Sequence, residues 1–292
     1  MKFTFVILHY NNIDDTINCI NTIKKLKVNK NDEVKIILID NKSTNHTGTE
    51  LASKYSNDKQ IKVILLNKNY GFSYANNIGY KIAKKEDSDV ILVSNNDILI
   101  NDEEFLSKLT ECYSKSDADI ICPDIINLKN QHQNPLRNSV TPVKKAYKNM
   151  IYEYLFYICM FIPLIRKVVL MHRIDREEKW FKNYYNNKIS YDEDNFIPFG
   201  AFIIYTKNWI NNEKIAFPSD TFMYSEEDML YLYIRNKKYK MYYDSNLKVK
   251  HLEGKSTTQS LKNIYEKYKF QSKTKANSLK KYIRFYKKWS SK

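Results

Sequence analysis

Glycine and proline are scarce, with 5 Gly and 6 Pro in 292 residues. Few loops are therefore built on Gly-Pro punctuation, and helices and strands are seldom broken. No G-x-G-x-x-G follows the first apolar run, and no G-x-x-x-x-G-K-[ST] occurs. These absences argue against a dinucleotide oxidoreductase and a P-loop NTPase. The cysteines Cys19, Cys112, Cys122 and Cys159 lie far apart with no C-x-x-C pair. Neither a zinc site nor a disulfide framework is legible, which fits reduced thiols in a cytosolic protein. Long apolar runs are missing too. Tyr154 to Ile165 is uncharged but ends at Arg166-Lys167, short of the ~20 residues a membrane span needs. The first residues show no cationic leader or small-residue cleavage site, so a signal peptide is not expected.

What is present is a globular composition, 43% apolar and 28% charged, unusually rich in aromatics at 24 Tyr and 14 Phe. The length allows one large or two modest domains with a sizeable core. The net charge of +15 is unevenly placed. Residues 1–135 carry 17 Lys/Arg against 18 Asp/Glu, and residues 191–261 carry 9 against 10. Residues 136–190 carry 11 against 4, and residues 262–292 carry 11 against 1. A neutral body thus bears two basic segments, which points to an anionic partner, either nucleic acid or a membrane surface.

The first 125 residues alternate short β-branched runs with amphipathic patterns. Strands are predicted at 3–8, 34–39, 61–66, 90–93 and 120–122, and helices at 13–26, 47–56, 72–84 and 102–115. This alternation predicts an α/β fold with a Rossmann-like, mostly parallel central sheet and flanking helices. Ligands of such sheets bind beyond the carboxyl ends of the strands. Four of those ends carry clusters of Asn and Asp: His9-Tyr10-Asn11-Asn12, Asp40-Asn41-Lys42-Ser43, Asn67-Lys68-Asn69-Tyr70-Gly71 and Ser94-Asn95-Asn96-Asp97. One cluster alone is turn chemistry; four on one sheet edge indicate a polar ligand.

The motifs Val6-Ile-Leu-His-Tyr-Asn11, Ile39-Asp-Asn-Lys-Ser-Thr44, Asn69-Tyr-Gly-Phe-Ser-Tyr-Ala-Asn-Asn-Ile-Gly79 and Val93-Ser-Asn-Asn-Asp97 occur in order. Gly200-Ala-Phe-Ile-Ile204, Phe222 to Leu230 and Val249-Lys-His-Leu-Glu-Gly-Lys-Ser256 continue the series. Together they resemble the family 2 glycosyltransferases of GT-A fold, especially the rhamnosyltransferase-like bacterial enzymes, over residues 3–125 and 197–257.

The resemblance implies a nucleotide-sugar donor held by His9, Tyr10, Asn11, Asp40, Asn41, Ser43, Asn69, Gly71, Asn76, Asn95, Asn96 and Asp97. Asp40 matches the acid that reads the nucleobase. Asn95-Asn96-Asp97 matches the D-x-D element, with Asn in place of its first acid, so Asp97 is that motif's sole carboxylate. The implied cofactor is Mg2+ or Mn2+, which neutralises the leaving diphosphate. Asp97 is one implied ligand, and His251, in the context of Gly254 and Ser256, matches the late metal-binding histidine of some members. The acceptor hydroxyl must lose its proton to a base. The family pattern aligns Glu227 with the catalytic acid, and Glu226 and Asp228 remain alternatives within the triplet. These acids also suit the start of a helix running from about 226 to 238. The Q-x-x-R-W motif of processive synthases is missing, and Tyr233 stands where the family usually has an arginine.

The resemblance implies a non-processive, inverting transferase that moves one hexosyl or deoxyhexosyl unit to a saccharide acceptor. The setting is cell-surface polysaccharide (capsule) or glycolipid assembly, where acceptors are often lipid-linked. The expected organisation is a transferase domain over residues 1–261, interrupted by a basic, aromatic-rich insertion at about 126–196. A basic helical tail follows at 262–292. Residues 154–165 have the character of an interfacial helix, and the tail interleaves aromatics with cations, so both face an anionic membrane surface. No nucleic-acid motif is present, and no nucleic-acid partner is expected. The expected location is cytoplasmic, peripheral on the inner face of the membrane. The contrasting reading is a non-catalytic nucleic-acid- or membrane-binding protein on a transferase-like scaffold.

Overall fold

The computed structural model describes residues 1–186, 195–253 and 264–289. The chain begins with β1 (Lys2–His9), α1 (Ile13–Lys24), β2 (Glu33–Asp40), α2 (Thr47–Lys54), β3 (Ile61–Leu65), α3 (Phe72–Lys85) and β4 (Val90–Asn95). β1, β2 and β4 are β-branched and mostly buried because helices cover both faces, the usual situation of a parallel sheet, whereas β3 at the edge is largely half-buried or exposed. Gly79 lets α3 lie close to the sheet, since a Cβ there would stand 2.3 Å from Cγ1 of Val6.

After β4 the chain forms β5 (Ile98–Leu99), α4 (Phe105–Ser116) and β6 (Ile120–Asn127). Next come α5 (Val143–Cys159) and α6 (Pro163–Asn186). The chain closes with β7 (Phe202–Tyr205), α7 (Lys207–Asn212), α8 (Glu226–Lys237), β8 (Met241–His251) and α9 (Ile264–Trp289). The strands form one sheet of order β3-β2-β1-β4-β7-β6-β8-β5. β1 is parallel to β2 and β4, and β2 to β3, whereas β7 runs antiparallel between β4 and β6. In β1, His9 pairs with Asp40 and Leu8 with Asn95, and Asp40 in turn pairs with Leu65. The polar clusters after these strands therefore emerge at one level.

Three features depart from the sequence-based expectations. The strand expected at 120–122 runs on to Asn127, and β5 and β8 were not anticipated. β5 has two residues, too few to show a period. The sequence of β8, Met-Tyr-Tyr-Asp-Ser-Asn-Leu-Lys-Val-Lys-His, is largely polar and pairs with β6 through a register shift between Pro123 and Asp124. The helix expected at 154–165 is two helices, because Pro163 ends the first run and suits the first position of the next.

The tail is helical as expected, but it is packed. Along α9, Tyr268, Ser272, Ala276, Tyr282 and Ile283 are buried. Tyr282 and Ile283 meet Ala146 of α5 and Met229 of α8, while Tyr268 meets Phe156, Met160 and Leu170. The Tyr282 hydroxyl donates to the Thr141 carbonyl at 2.5 Å. Two aromatics assigned to a membrane surface are thus core, because they share one helical stripe with small residues that admit α5. Lys273, Lys280, Arg284, Lys287 and Lys288 stay on the exposed face.

Candidate functional site

The turns after the parallel strands are wired to one another. Asn11 adopts a left-handed conformation (φ 63) that turns its side chain across to the next turn. Its Oδ1 accepts from the Thr44 backbone N–H at 2.7 Å, and its own N–H donates to the Ser43 hydroxyl at 2.9 Å. The Ser43 hydroxyl donates to Asp40 Oδ1 at 2.5 Å. Asp40 lies against the first turn of α2, where a Cβ on Gly48 would stand 2.2 Å from its Oδ2. Only glycine at 48 leaves room for that carboxylate. Asn41 clips the next turn, accepting from the Tyr70 N–H at 2.9 Å and donating to the Gly71 carbonyl at 3.3 Å. Asn69 accepts from the Gly71 N–H at 2.9 Å. Gly71 has φ 81, and a Cβ there would lie 2.3 Å from the Phe222 carbonyl oxygen. Its lack of a side chain thus lets the donor-side turns touch the segment leading to the acidic triplet.

His9 is fully buried. Its ring nitrogens meet the hydroxyls of Thr16 at 2.7 Å and Thr47 at 3.0 Å, so it ties α1 and α2 to the end of β1. Burial holds its pKa down to about 4, against the opposing pull of Asp40. Tyr10 is half-buried, and its carbonyl accepts from the Asn12 N–H at 2.8 Å. Asn76, on the buried face of α3, is unlike its neighbours: neither its Oδ1 nor its Nδ2 has a partner among the described residues. An orphaned buried amide costs about 1–3 kcal/mol.

At the end of β4, Asn95 is half-buried and its N–H donates to the Ala201 carbonyl at 2.8 Å. Asn96 donates to the Thr16 hydroxyl at 2.8 Å and the Asn12 carbonyl at 3.2 Å. Asp97 is buried, and β5 brings it to His251 at the end of β8, with Asp97 Oδ2 3.3 Å from His251 Nε2. The ring is oriented from behind. Gln133 Nε2 donates to Glu253 Oε1 at 2.7 Å, which turns Gln133 Oε1 toward His251 Nδ1, also at 2.7 Å. Nδ1 therefore donates to Gln133, and Nε2 faces the carboxylate. An imidazole nitrogen and a carboxylate oxygen side by side are ligands that suit a divalent ion, so the residues fit the implied metal. Among the described residues no cluster of three or more His, Cys, Asp or Glu could hold an ion. Gly254 and Ser256, quoted with His251 in the motif, lie outside the described residues.

The acidic triplet opens α8, preceded by Tyr224 and Ser225 with φ of 73 and 69. Its members occupy distinct environments. Asp228 is buried, ion-paired with Arg137, and accepts from the Thr141 N–H at 3.1 Å. Glu226 is buried, and its Oε1 has no partner among the described residues. Burial, then the charge of Glu227, pushes its pKa well above the ordinary carboxylate range. Glu227 alone is half-buried rather than buried; its pKa is also raised, by desolvation first, with Arg137 opposing. Its Oε1 lies 3.0 Å from where a Cβ on Gly200 would sit, and the Phe199 ring lies 5.7 Å from that of His251. Adjacent residues ahead of β7 thus touch the Asp97–His251 pair and Glu227.

The structure therefore gathers Asp40, Asn41, Ser43, Gly71, Asp97, His251 and the acidic triplet along one edge. The sequence reading missed Gly48, Arg137, Gln133 and Glu253. Gly48 left a signal, a glycine eight residues after Asp40 in a chain that has few. The other three act through partners about 90 to 120 residues away, a separation that leaves no local pattern.

The sequence profile described as glycosyl transferase family 2 matches residues 4–215. No curated protein matches the chain. Among solved structures, S. aureus TarS 1–349 in complex with UDP-GlcNAc superposes with a TM-score of 0.52 at 18% identity, over 86% of this chain and 58% of that one. The mannosyltransferase PcManGT from Pyrobaculum calidifontis, in complex with GDP-Man and Mn2+, gives 0.53 at 9% identity over 99% and 75%. The chain spans little more than half of that TarS fragment, and at such identities the likeness is one of fold. With the profile matched from β1 past α7 on a GT-A sheet, the chain belongs to the family 2 glycosyltransferases.

Proposed function

We propose that this glycosyltransferase moves a single hexosyl or deoxyhexosyl unit, with inversion, from a nucleoside diphosphate sugar to a lipid-linked saccharide in cell-surface polysaccharide or glycolipid assembly. The observation that carries the reading is the convergence of Asp97, His251 and Glu227 on the two residues Phe199 and Gly200. The solved neighbours were crystallised with UDP-GlcNAc and with GDP-Man and Mn2+, which supports the donor class.

In this reading Asp40 and the Asn11–Ser43 clip hold the nucleoside, and Asn76 gives its unpartnered amide to the donor. Mg2+ or Mn2+ held by Asp97 and His251 would supply positive charge to the leaving diphosphate. Glu227, half-buried and with a raised pKa, accepts the proton of the acceptor hydroxyl. The acceptor oxygen bonds to the anomeric carbon as the bond to the diphosphate oxygen breaks, and the electron pair leaves with that oxygen. Asp228 holds Arg137, and burial favours the neutral form of Glu226 beneath the turn.

No helix among the described residues is long and apolar enough to cross a membrane. A stripe of exposed apolar side chains on α5 and α6, Ile151, Leu155, Ile158, Leu164, Val168 and Met171, supports a peripheral seat on the inner membrane face. Lys144, Lys145, Lys148, Arg166 and Lys167 flank it, suiting an anionic bilayer. The domain boundary proposed with this reading joins α9 to α5 and α6 as a helical cap on the transferase sheet.

The test is a screen of UDP-, GDP- and dTDP-sugars for binding and hydrolysis with Mg2+, Mn2+ and EDTA. Metal-dependent turnover of one donor is expected. Failure to bind any donor would return the chain to a non-catalytic role on the same scaffold.

A further inference from the structure

Where the helical cap meets the turn ahead of α8, a cavity of about 240 Å³ is lined by Tyr152, Glu153, Arg176, Tyr224, Ser225 and Lys275, among others. It is smaller than the ~300–1,000 Å³ of sites for drug-sized ligands, and so suits a single sugar ring.

Its charges are incompletely matched. Arg173 is buried and shared between Glu153, at 2.9 Å, and Glu177, at 2.7 Å. That pairing occupies Oε1 of Glu153 and leaves its buried Oε2 without a partner among the described residues. The free oxygen is an acceptor in want of a hydroxyl or N–H. The two other cations rest on aromatic faces: Arg176 lies 4.1 Å above the Tyr152 ring, and Lys275 lies 5.2 Å from the centre of the Tyr224 ring. Lys275 comes no nearer to Glu177 than 3.9 Å. Burial, then the charge of Arg173, lowers the Lys275 pKa, as expected of an ammonium with too little negative charge beside it. Among the described residues, Glu153 and Glu177 both serve Arg173, and Lys275 reaches Glu177 only at 3.9 Å.

The cavity is coupled to the acidic triplet. Tyr224 and Ser225 immediately precede Glu226, and the Tyr224 hydroxyl is raised in pKa by burial first and then by Glu226 and Glu153. α9 fastens the same turn, with the Ser278 hydroxyl donating to the Met223 carbonyl at 2.6 Å.

We infer that this cavity is an acceptor subsite for an anionic sugar, whose phosphate or carboxylate is held by Lys275 and Arg176 and whose hydroxyl donates to Glu153 Oε2. The inference rests on the transferase reading, which supplies the acceptor, and goes beyond it in specifying the acceptor's charge. A neutral sugar would leave Arg176 on the Tyr152 ring and Lys275 with only its long 3.9 Å contact to Glu177.

The experiment uses the full chain, with Mg2+ and whichever of UDP, GDP and dTDP it binds best saturating the donor site. It titrates glucose, glucuronate and glucose 6-phosphate by calorimetry or ligand-observed NMR. At least one anionic probe is expected to bind about tenfold or more tighter than glucose, the usual contribution of one charge-assisted hydrogen bond. Lys275→Gln should bring that preference close to parity, and Arg176→Ala should reduce it. Arg176 is exposed, so its variant guards against misfolding. The stronger of the two anionic probes identifies the group as phosphate or carboxylate. Nucleotide binding that persists while glucose and both anionic probes bind equally, or while Lys275→Gln keeps the preference, overturns the subsite and leaves the transferase reading standing. A wild-type chain that binds no nucleotide overturns both.

Discussion

At the strand ends most polar side chains hold another in place, whereas on the helical cap large apolar side chains face outward. Asn11, Asp40, Asn41 and Asn69 span three turns with hydrogen bonds between 2.5 and 3.3 Å. On α5 and α6, Leu164 is 91% exposed and Val168 70%. Under the proposed function, the first arrangement fixes a small polar ligand in advance, at the cost of burying charged and amide groups. The second leaves surface that water tolerates but a bilayer favours. On that proposal the sheet edge serves chemistry, and the cap places the chemistry against a partner.

The largest expected effect breaks the sheet side alone. Glu227→Gln removes the proton acceptor without changing its shape, and should lower transfer about 10²- to 10⁴-fold while nucleotide binding and melting temperature hold. Glu226→Gln should leave transfer intact. If Glu226→Gln is the crippled variant, the base has been placed one residue too far along.

Next is the seam between the halves. Tyr282→Ala empties a fully buried site between α9, α5 and α8, and should cost about 3–5 kcal/mol in denaturant unfolding. A loss under about 0.5 kcal/mol would mean that α9 is a detachable tail.

The third effect is electrostatic. Burial holds the folded pKa of His9 down to about 4, against an ordinary imidazole value of 6.5. Between those values the unfolded chain binds the proton and the folded one does not. His9 therefore contributes stability that is present above about pH 6.5 and is lost as pH falls toward 4, by about 3 kcal/mol at most. Glu226 acts in the opposite sense: its raised pKa makes folding less favourable as pH rises above the ordinary carboxylate value. Unfolding curves from pH 7 to 4 should flatten in His9→Gln and steepen in Glu226→Gln.

The smallest effect on stability falls on the cap. Leu164→Ser with Val168→Ser should change stability by less than about 0.5 kcal/mol, since both side chains are already in water. Cosedimentation with anionic vesicles should nevertheless drop, because each buried methylene contributes about 0.8 kcal/mol to membrane binding. Unchanged cosedimentation would assign the stripe to another partner.

The two halves also differed in how much of them could be read from the sequence. β1 to β4 and their helices show the period of their structure, because each is a local run with one environment along its length. Asp40, Asn41, Asp97 and the triplet stood out as polar clusters at predictable ends. The cap was misread where its logic is non-local: Tyr268 and Tyr282 look like surface aromatics among lysines until α5 and α8 are placed beside them. Gln133 and Glu253 were invisible for the same reason, since their role exists only once β8 has brought His251 to Asp97.

The most direct test of the strand-end site is calorimetric binding of a nucleoside diphosphate (UDP, GDP or dTDP, whichever the chain prefers) with and without Mn2+. The wild-type chain, Asp97→Ala and His251→Ala should be compared at matched melting temperature. The expected result is binding that Mn2+ strengthens in the wild type, with that enhancement lost in Asp97→Ala and weakened in His251→Ala. An enhancement of equal size in all three proteins would contradict the assignment of Asp97 and His251 as the cation's seat.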